Sequence, residues 1–243
     1  MPIGIIINVL SVVLGGAAGA AVGNKLSMDF KEKLNMIFGA CSMGMGISTI
    51  VLMQNMPAVI FSVIIGTAIG LVIHLGDRID AAAGGMQKMI SKFMKLENSS
   101  MPQEESIAAL VTCIVLFCAS GTGIYGSIVS GMLGDHSILI AKSILDLFTA
   151  LIFACSLGAV VCVVAVPQCI LFLLLFLLAG VIFPLTNDAM IADFKACGGF
   201  IMLATGFRMI KVTMFPVADM IPSMIIVMPF SYLWASTILP LVS

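Results

Sequence analysis

Charged residues are scarce in this sequence. Of its 243 residues only 9% are Asp, Glu, Lys or Arg, whereas 61% are hydrophobic, and the mean hydropathy is +1.21. A soluble domain of this size has too little interior to bury so much apolar surface. The composition therefore argues against a soluble domain and predicts an all-α, polytopic transmembrane bundle with the lipid bilayer as its main partner.

Motifs for several chemistries are also missing. The seven cysteines include no CxxC pair, no GxxxxGK[ST] or GxSxG occurs, and no long basic cluster alternates with aromatics. We therefore expect no enzyme activity, no cofactor, no metal site and no nucleic-acid partner. Two LGD triplets, Leu75–Asp77 and Leu133–Asp135, leave an intramembrane aspartyl enzyme as an alternative, although both lie at span ends, where a loop role is simpler.

Apolar runs fill most of the chain and predict about eight spans in one integral membrane domain, residues 1–243. The one long polar segment, 77–105, has apolar residues at roughly helical spacing, which suits a helix on the membrane surface or a plain loop. Pro167 is predicted to end the fifth span. The spans are about Ile3–Val22, Leu34–Met53, Ala58–His74, Ile107–Val129, Gly134–Val166, Ile170–Phe183, Cys197–Met209 and Met220–Leu239.

The last three spans resemble the first three. Residues 14–31 align without gaps against residues 178–195, ending in Asp-Phe-Lys in both. After a shift of the alignment by four residues, Gly39 and Gly46 match Gly199 and Gly206. An offset of five spans means that the two copies cross the membrane in opposite directions, as in many secondary transporters. The pattern predicts repeats at 1–76 and 167–243, a cytoplasmic loop at 77–105, and central spans four and five at 106–166.

The centre of the fifth span carries two charges where a lipid-facing helix has leucine. Asp146 lies about 14 Å beyond Ser137, near the middle of a ~30 Å hydrocarbon layer, where a charge costs roughly 2.5 to 3.5 kcal/mol. Lys142 lies one turn earlier on the same face, and Thr149 and Ser156 continue that face. The pair is either a structural lock or the centre of a polar pathway, and the longer polar face favours the pathway.

Other residues extend this candidate site. Asn8 adds polarity to the first span, where packing is its simpler role. The segment Ser120 to Gly126, which includes Thr122, has three glycines, which indicate either an interrupted helix with free backbone ligands or a flexible helix end. Small-residue faces favour close helix packing, within one chain or in a homodimer. These faces are Gly15, Gly19 and Gly23 in span one, Gly66 and Gly70 in span three, and Ala150, Ala154 and Gly158 in span five.

Basic residues indicate the orientation. With eight spans and both termini outside, nine of the eleven Lys and Arg residues lie on the cytoplasmic side. The opposite orientation would put those nine positive charges outside. The nine are Lys25, Lys31, Lys33, Arg78, Lys88, Lys92, Lys95, Arg208 and Lys211.

The whole chain resembles the YqgA-like family of uncharacterised prokaryotic membrane proteins. The resemblance rests on MPIGIIINVLSVVLGG at the start, GTGIYGSIVSGMLGDHSILIAKSILD at 121–146 and ACGGFIMLATGFRMI at 196–210. The resemblance implies a multi-pass protein of the prokaryotic cytoplasmic membrane. Proteins of this family are associated with biofilm formation, and some are described as sodium channels or pumps. The resemblance implies no agreed binding residues, so the candidate site depends on the residues themselves.

Two functions follow as hypotheses. The first is a secondary transporter or channel for a small cation, such as Na⁺ or H⁺, or for a small solute, with Asp146 as the ion-binding group. The second is a membrane scaffold or sensor, linked to surface behaviour, whose charges are purely structural. In the first, Lys142 is the countercharge and the other site residues line the path: Asn8, Ser120, Thr122, Thr149 and Ser156.

Overall fold

The fold is all helical, as predicted, throughout the residues that the structure describes. A computed structural model describes residues 1–22, 26–93 and 103–242. Within these residues there are ten main helices, and brief 3₁₀, π and α turns follow the eighth and tenth of them. The main helices are α1 Ile3–Val22, α2 Met28–Ile50, α3 Met56–Val72, α4 Leu75–Phe93, α5 Gln103–Cys118, α6 Gly121–Leu133, α7 Ser137–Leu157, α8 Val160–Ile182, α9 Asp188–Met209 and α10 Pro222–Leu233.

Six helical segments in the described residues are long and apolar enough to cross a membrane, or seven if a bent pair counts as one span. The bent pair is α3 with α4. α2 falls outside this count although it has 23 residues, since its polar first turns and its glycines lower its hydropathy. The expected multi-pass membrane architecture is therefore present, but the count of eight spans is not confirmed.

The chain folds into two compact units, and each takes segments from both halves of the sequence. The first contains residues 1–35 and 78–180, and the second contains residues 36–77 and 181–243. The first unit therefore holds α1 and α4 to α8, and the second holds most of α2 with α3, α9 and α10. The division of the sequence into 1–76, 77–105, 106–166 and 167–243 stays a prediction.

In the first unit, α1 and α7 run parallel and nearly touch. A Cβ atom at Gly15 would lie 2.9 Å from the carbonyl carbon of Leu147 and 3.1 Å from Ala150 Cβ, and one at Gly19 would lie 2.8 Å from Ala154 Cβ. The predicted small-residue faces of spans one and five thus pack against each other. Gly23 lies outside the described residues.

The apolar core of the first unit lies mainly between α5 and α8, with α4 beside them. Leu110, Phe117 and Val161 are fully buried there, and Ala83 and Ile90 of α4 are only 1% and 3% exposed. α4 is therefore a helix with a buried apolar face, which suits the helical interpretation of this segment better than the loop. Lys95 lies outside the described residues.

In the second unit, α2 packs antiparallel to α9 and α3 packs antiparallel to α10. A Cβ atom at Gly70 would lie 2.8 Å from Asp219 Cα, so the glycine face of α3 is used within the chain. Asp193, fully buried in α9, accepts hydrogen bonds from the backbone N–H groups of Gln54 and Asn55, at 2.8 and 2.9 Å, and from the Ser231 hydroxyl at 2.6 Å. This carboxylate thus ties the start of α3 to α9 and α10.

One predicted boundary is wrong. α7 ends at Leu157, where Gly158 has a φ of 75°, and Pro167 lies inside α8 and does not end a helix. A residue without a side chain adopts a positive φ at little cost, which makes Gly158 the natural stop. A proline inside a membrane helix is tolerated where neighbouring groups compensate for the lost hydrogen bond. The change places Gln168 one-third of the way along a membrane helix.

Candidate functional site

The centre of the first unit holds the predicted ion pair. Lys142 and Asp146 lie one turn apart on α7, with side chains 4% and 5% exposed, and the Lys142 Nζ donates to both carboxylate oxygens of Asp146, at 2.6 and 2.5 Å. Spacing of four residues puts the two side chains on the same helical face. Their opposite charges compensate each other, so the pair as a whole is neutral.

Asn8 reaches the pair from α1. Its Nδ2 donates to Asp146 Oδ2 at 2.8 Å, and the residue is fully buried. The short asparagine side chain reaches this far because α1 lies close to α7: a Cβ atom at Gly4 would be only 3.0 Å from Leu139 Cβ, and Gly15 makes the next close contact. The glycines of α1 thus bring a second helix to the carboxylate.

Gln168 completes the cluster from α8. Its Nε2 donates to Asn8 Oδ1 at 2.7 Å and lies 3.3 Å from Asp146 Oδ2. Sequence reasoning missed this residue because it read Pro167 as the end of a span. A glutamine beside a proline in a long apolar run was the signal that could have found it.

One atom of this cluster is unsatisfied. Gln168 is fully buried, and its Oε1 has no hydrogen-bond partner among the described residues. The assignment of the two amide atoms follows from their neighbours, since the other end of the amide faces two oxygens, Asn8 Oδ1 and Asp146 Oδ2, and must therefore be the nitrogen. The cluster thus has a spare acceptor next to a buried ion pair.

The predicted break lies beside Lys142. α5 ends at Cys118 and α6 begins at Gly121, with the Ser120 Oγ accepting the Gly123 N–H at 3.1 Å as an N-cap. The Phe117 ring centroid is 5.8 Å from Lys142 Nζ, and a Cβ atom at Gly123 would be 2.9 Å from Lys142 Cε. The interruption is shorter than predicted, because residues 121–126 are helical.

The other predicted site residues are not all near the pair. Thr149 is buried one turn beyond Asp146 on α7, and Thr122 is buried in the first turn of α6. Ser156 lies ten residues, or about 15 Å, from Asp146 along α7. The Lys31 Nζ donates to the Ser156 Oγ at 3.5 Å, so this serine belongs to another polar contact of the first unit.

The complete cluster compensates its buried charges, whereas loss of one partner leaves a buried charge without compensation. Removing two charges from water costs several kcal/mol per ion. Their mutual attraction offsets roughly this cost only if their geometry is good and further hydrogen bonds satisfy the remaining polar atoms. Here the carboxylate accepts hydrogen bonds from an ammonium and two amides.

No group of three or more His, Cys, Asp or Glu residues that could hold a metal ion occurs in the described ranges. In the part of the chain that the structure describes, the carboxylate thus faces N–H donors only, and the free oxygen of the cluster is Gln168 Oε1.

Fold and site together define a multi-pass helical membrane protein with a buried polar cluster in a helical unit. Residues 3–232 match the model of the family described as "Protein of unknown function (DUF554)". The chain is 44% identical to "Uncharacterized protein YqgA" of Escherichia coli (strain K12) over 237 residues, which covers 97% of this chain and 99% of that protein. The chain therefore belongs to the DUF554 family.

A more distant relative agrees with the membrane assignment. The chain is 24% identical over 229 residues to "Uncharacterized membrane protein YdfK" of Bacillus subtilis (strain 168), covering 92% of this chain and 93% of that protein. No solved structure matches the chain.

Proposed function

We propose that this protein is a secondary transporter or channel for a small cation, such as Na⁺ or H⁺, and that Asp146 is the group to which the cation binds. The observation that carries the proposal is a buried cluster that contains an ion pair and an unsatisfied acceptor between three apolar helices. Its residues are Lys142, Asp146, Asn8 and Gln168. Buried ionisable groups in membrane helices are typical of ion and proton pathways.

The mechanism is an exchange of partners. In the closed cluster the Lys142 ammonium neutralises Asp146, so no net charge is buried. A cation or proton that reaches Asp146 takes over this role, and Lys142 then releases the carboxylate. The break between α5 and α6 lies next to Lys142, where the Phe117 ring centroid is 5.8 Å from the Lys142 Nζ.

The test is flux into proteoliposomes. Purified wild-type protein is expected to carry an ion under a sodium, potassium or proton gradient, and Asp146→Asn, which keeps the side-chain size but loses the charge, is expected to lower that flux at least about tenfold. Circular dichroism and gel filtration of the variant check that it is folded. Ser48→Ala is a matched control for reconstitution, since this hydroxyl is exposed and bonds only to its own helix. Equal flux in wild type and a folded Asp146→Asn would contradict the proposal.

A structural role for the charges is the second candidate, and the completeness of the Asp146 contacts favours it. Each Asp146 oxygen accepts at least one hydrogen bond, and the pair is almost fully buried. Such a pair locks α1, α7 and α8 together whether or not an ion passes. The two candidates predict different ion flux when both charges are replaced together by apolar residues.

We also propose that the chain has eight crossings and an inverted repeat, α1 to α3 against α8 to α10. α1 and α7 run parallel, which is consistent with three crossings between them: α2, α3 and the α5–α6 span. The glycines of α2 and α9 support the repeat. A Cβ atom at Gly39 would lie 2.9 Å from the carbonyl oxygen of Gly206, and one at Gly46 would lie 2.6 Å from that of Gly199. The alignment matches Gly39 with Gly199 and Gly46 with Gly206, and in the structure each glycine of one pair contacts a glycine of the other pair. Such reciprocal contacts are expected between two copies related by twofold symmetry.

Orientation follows from the same arrangement: both termini lie outside, in a prokaryotic cytoplasmic membrane, with most basic residues inside. On a background without the seven native cysteines, Ser27→Cys and Lys92→Cys are expected to resist an impermeant thiol reagent in intact cells, whereas Leu185→Cys, at a residue 79% exposed, is expected to react. Reagent access to all three positions after permeabilisation is the control. Labelling of Ser27→Cys and Leu185→Cys from the same side would contradict the inverted repeat.

We also propose a homodimer as the quaternary structure. The glycine faces of α1 and α3 already pack against α7 and α10 within one chain. A dimer would therefore have to use other lipid-facing surfaces.

A further inference from the structure

The unsatisfied Oε1 of Gln168 needs an explanation, because a buried acceptor without a donor costs free energy. Its own amide cannot relieve the cost by rotating. A rotated amide would place Oε1 against Asn8 Oδ1 and Asp146 Oδ2, so two oxygens would face two oxygens. The hydrogen bonds of Gln168 Nε2 therefore fix the orientation of the amide and leave Oε1 without a donor.

The charged donor of this cluster is the Lys142 ammonium. Its Nζ lies 2.5 Å from Asp146 Oδ2, and Gln168 Nε2 lies 3.3 Å from that same oxygen, so the ammonium and the amide converge on one atom. A lysine side chain has a flexible four-carbon stem and three rotatable N–H donors. A movement of a few ångströms is enough to bring such a donor to a second acceptor in the same cluster.

We propose that Gln168 Oε1 is the second acceptor of the Lys142 ammonium, occupied when Asp146 is protonated or holds a cation. The inference rests on the proposed function and adds a residue and a step to it. With Asp146 neutralised, a buried ammonium would otherwise lose its main partner, and Gln168 then accepts the hydrogen bond that the carboxylate no longer provides. Gln168 Oε1 thus receives a donor only when Asp146 is protonated or holds a cation.

A double-mutant cycle tests this step without any transport measurement. Asp146→Asn mimics the neutralised carboxylate, and Gln168→Leu removes the reserve acceptor. Both single variants and the double variant are purified in the same detergent, and their melting temperatures are compared with wild type. We expect the double variant to lose at least about 4 °C more than the sum of the two single losses, the scale of one unsatisfied buried group in a chain of this size.

The sign of the coupling between the two substitutions distinguishes the proposed role of Gln168 from a purely positioning role. If Gln168 only holds Asp146 through its Nε2, Asp146→Asn leaves only a neutral and weaker acceptor for that bond, so the two losses overlap and the double variant loses no more than their sum. Additive or smaller losses would therefore overturn the proposal. Adding Lys142→Met to the double variant is expected to abolish the excess loss, because no buried ammonium then needs an acceptor.

A double variant that fails to fold still gives an answer. Recovery of folded protein on adding Lys142→Met supports the proposal, since the defect then came from the stranded ammonium. Failure of that triple variant overturns it. The outcome is also distinct from that of the flux test: flux that depends on Asp146, together with a cycle of the opposite sign, would keep the proposed function and remove this role of Gln168.

Discussion

Lys142→Met is expected to destabilise the protein by about 3 to 5 kcal/mol, because it leaves the Asp146 charge buried without a countercharge. The amides of Asn8 and Gln168 still donate to the carboxylate, at 2.8 and 3.3 Å. Two neutral donors compensate a buried charge less well than an ammonium does. Thermal unfolding in detergent, followed by circular dichroism, measures the loss.

The chain contains a matched control for this substitution. Asp29 and Lys33 form a Lys–Asp pair with the same four-residue spacing and a similar distance, 2.8 Å, but both side chains are 73% exposed. Solvent screens such a pair, so Lys33→Met is expected to change the melting temperature little. An equally small effect of Lys142→Met would mean that the buried pair contributes nothing specific.

Replacing both charges together separates the two proposed functions. Lys142→Met with Asp146→Leu removes the buried charges and keeps much of their volume, so this double variant is expected to recover most of the stability that the single change loses. A recovered fold without ion flux would show that the charges serve transport. A recovered fold with wild-type flux would show that they are structural and that the ion passes elsewhere.

The charged part of the site was predictable because polar residues in long apolar runs stand out. Lys142 and Asp146 share a helical face by spacing alone, and the structure joins them to Asn8, the first polar residue of the first span. The packing of α1 on α7 was also predictable from their small-residue faces, since close approach in a membrane requires small side chains.

Gln168 was missed because Pro167 was interpreted by the rule for soluble proteins, in which a proline usually ends a helix. In water, a proline in a helix interior costs about 3 kcal/mol and usually ends the helix. Length gave a better guide: a span from Ser137 to Val166 would be about 45 Å long, well beyond a ~30 Å hydrocarbon layer. Ending the span at Gly158 removes the excess and moves Gln168 into the next helix, as the structure has it.

The burial of Asp193 depends on contacts that no local pattern encodes. Its donors lie 138 and 38 residues away in the sequence, at Asn55 and Ser231. In the sequence it was only one residue of a repeated Asp-Phe-Lys triplet, whereas its first-repeat counterpart, Asp29, is exposed and paired with Lys33. Long-range pairing thus gave the two matched residues different environments.

Gly15→Ala is expected to destabilise the protein by at least the ~1 to 3 kcal/mol typical of overpacking, because the added methyl group meets backbone and not a flexible side chain. The new Cβ would lie against the carbonyl oxygen of Leu147, 2.9 Å from its carbon, in the middle of the α1–α7 contact. Backbone of a hydrogen-bonded helix cannot move aside alone, so α1 as a whole must shift. Asn8, two turns earlier on α1, would then move away from Asp146.

Gly180→Ala is the control, since it lies in α8 of the same unit and has no atom within 4 Å of the added Cβ. Melting temperature and ion flux are measured for both variants. We expect Gly180→Ala to match wild type or exceed it slightly, because alanine favours a helix more than glycine does. We expect Gly15→Ala to lose stability and flux together, since the same close contact holds the fold and brings Asn8 to the carboxylate. A fully stable Gly15→Ala with normal flux would mean that α1 can sit farther from α7 than the structure has it, and that the Asn8 contact is not needed for transport.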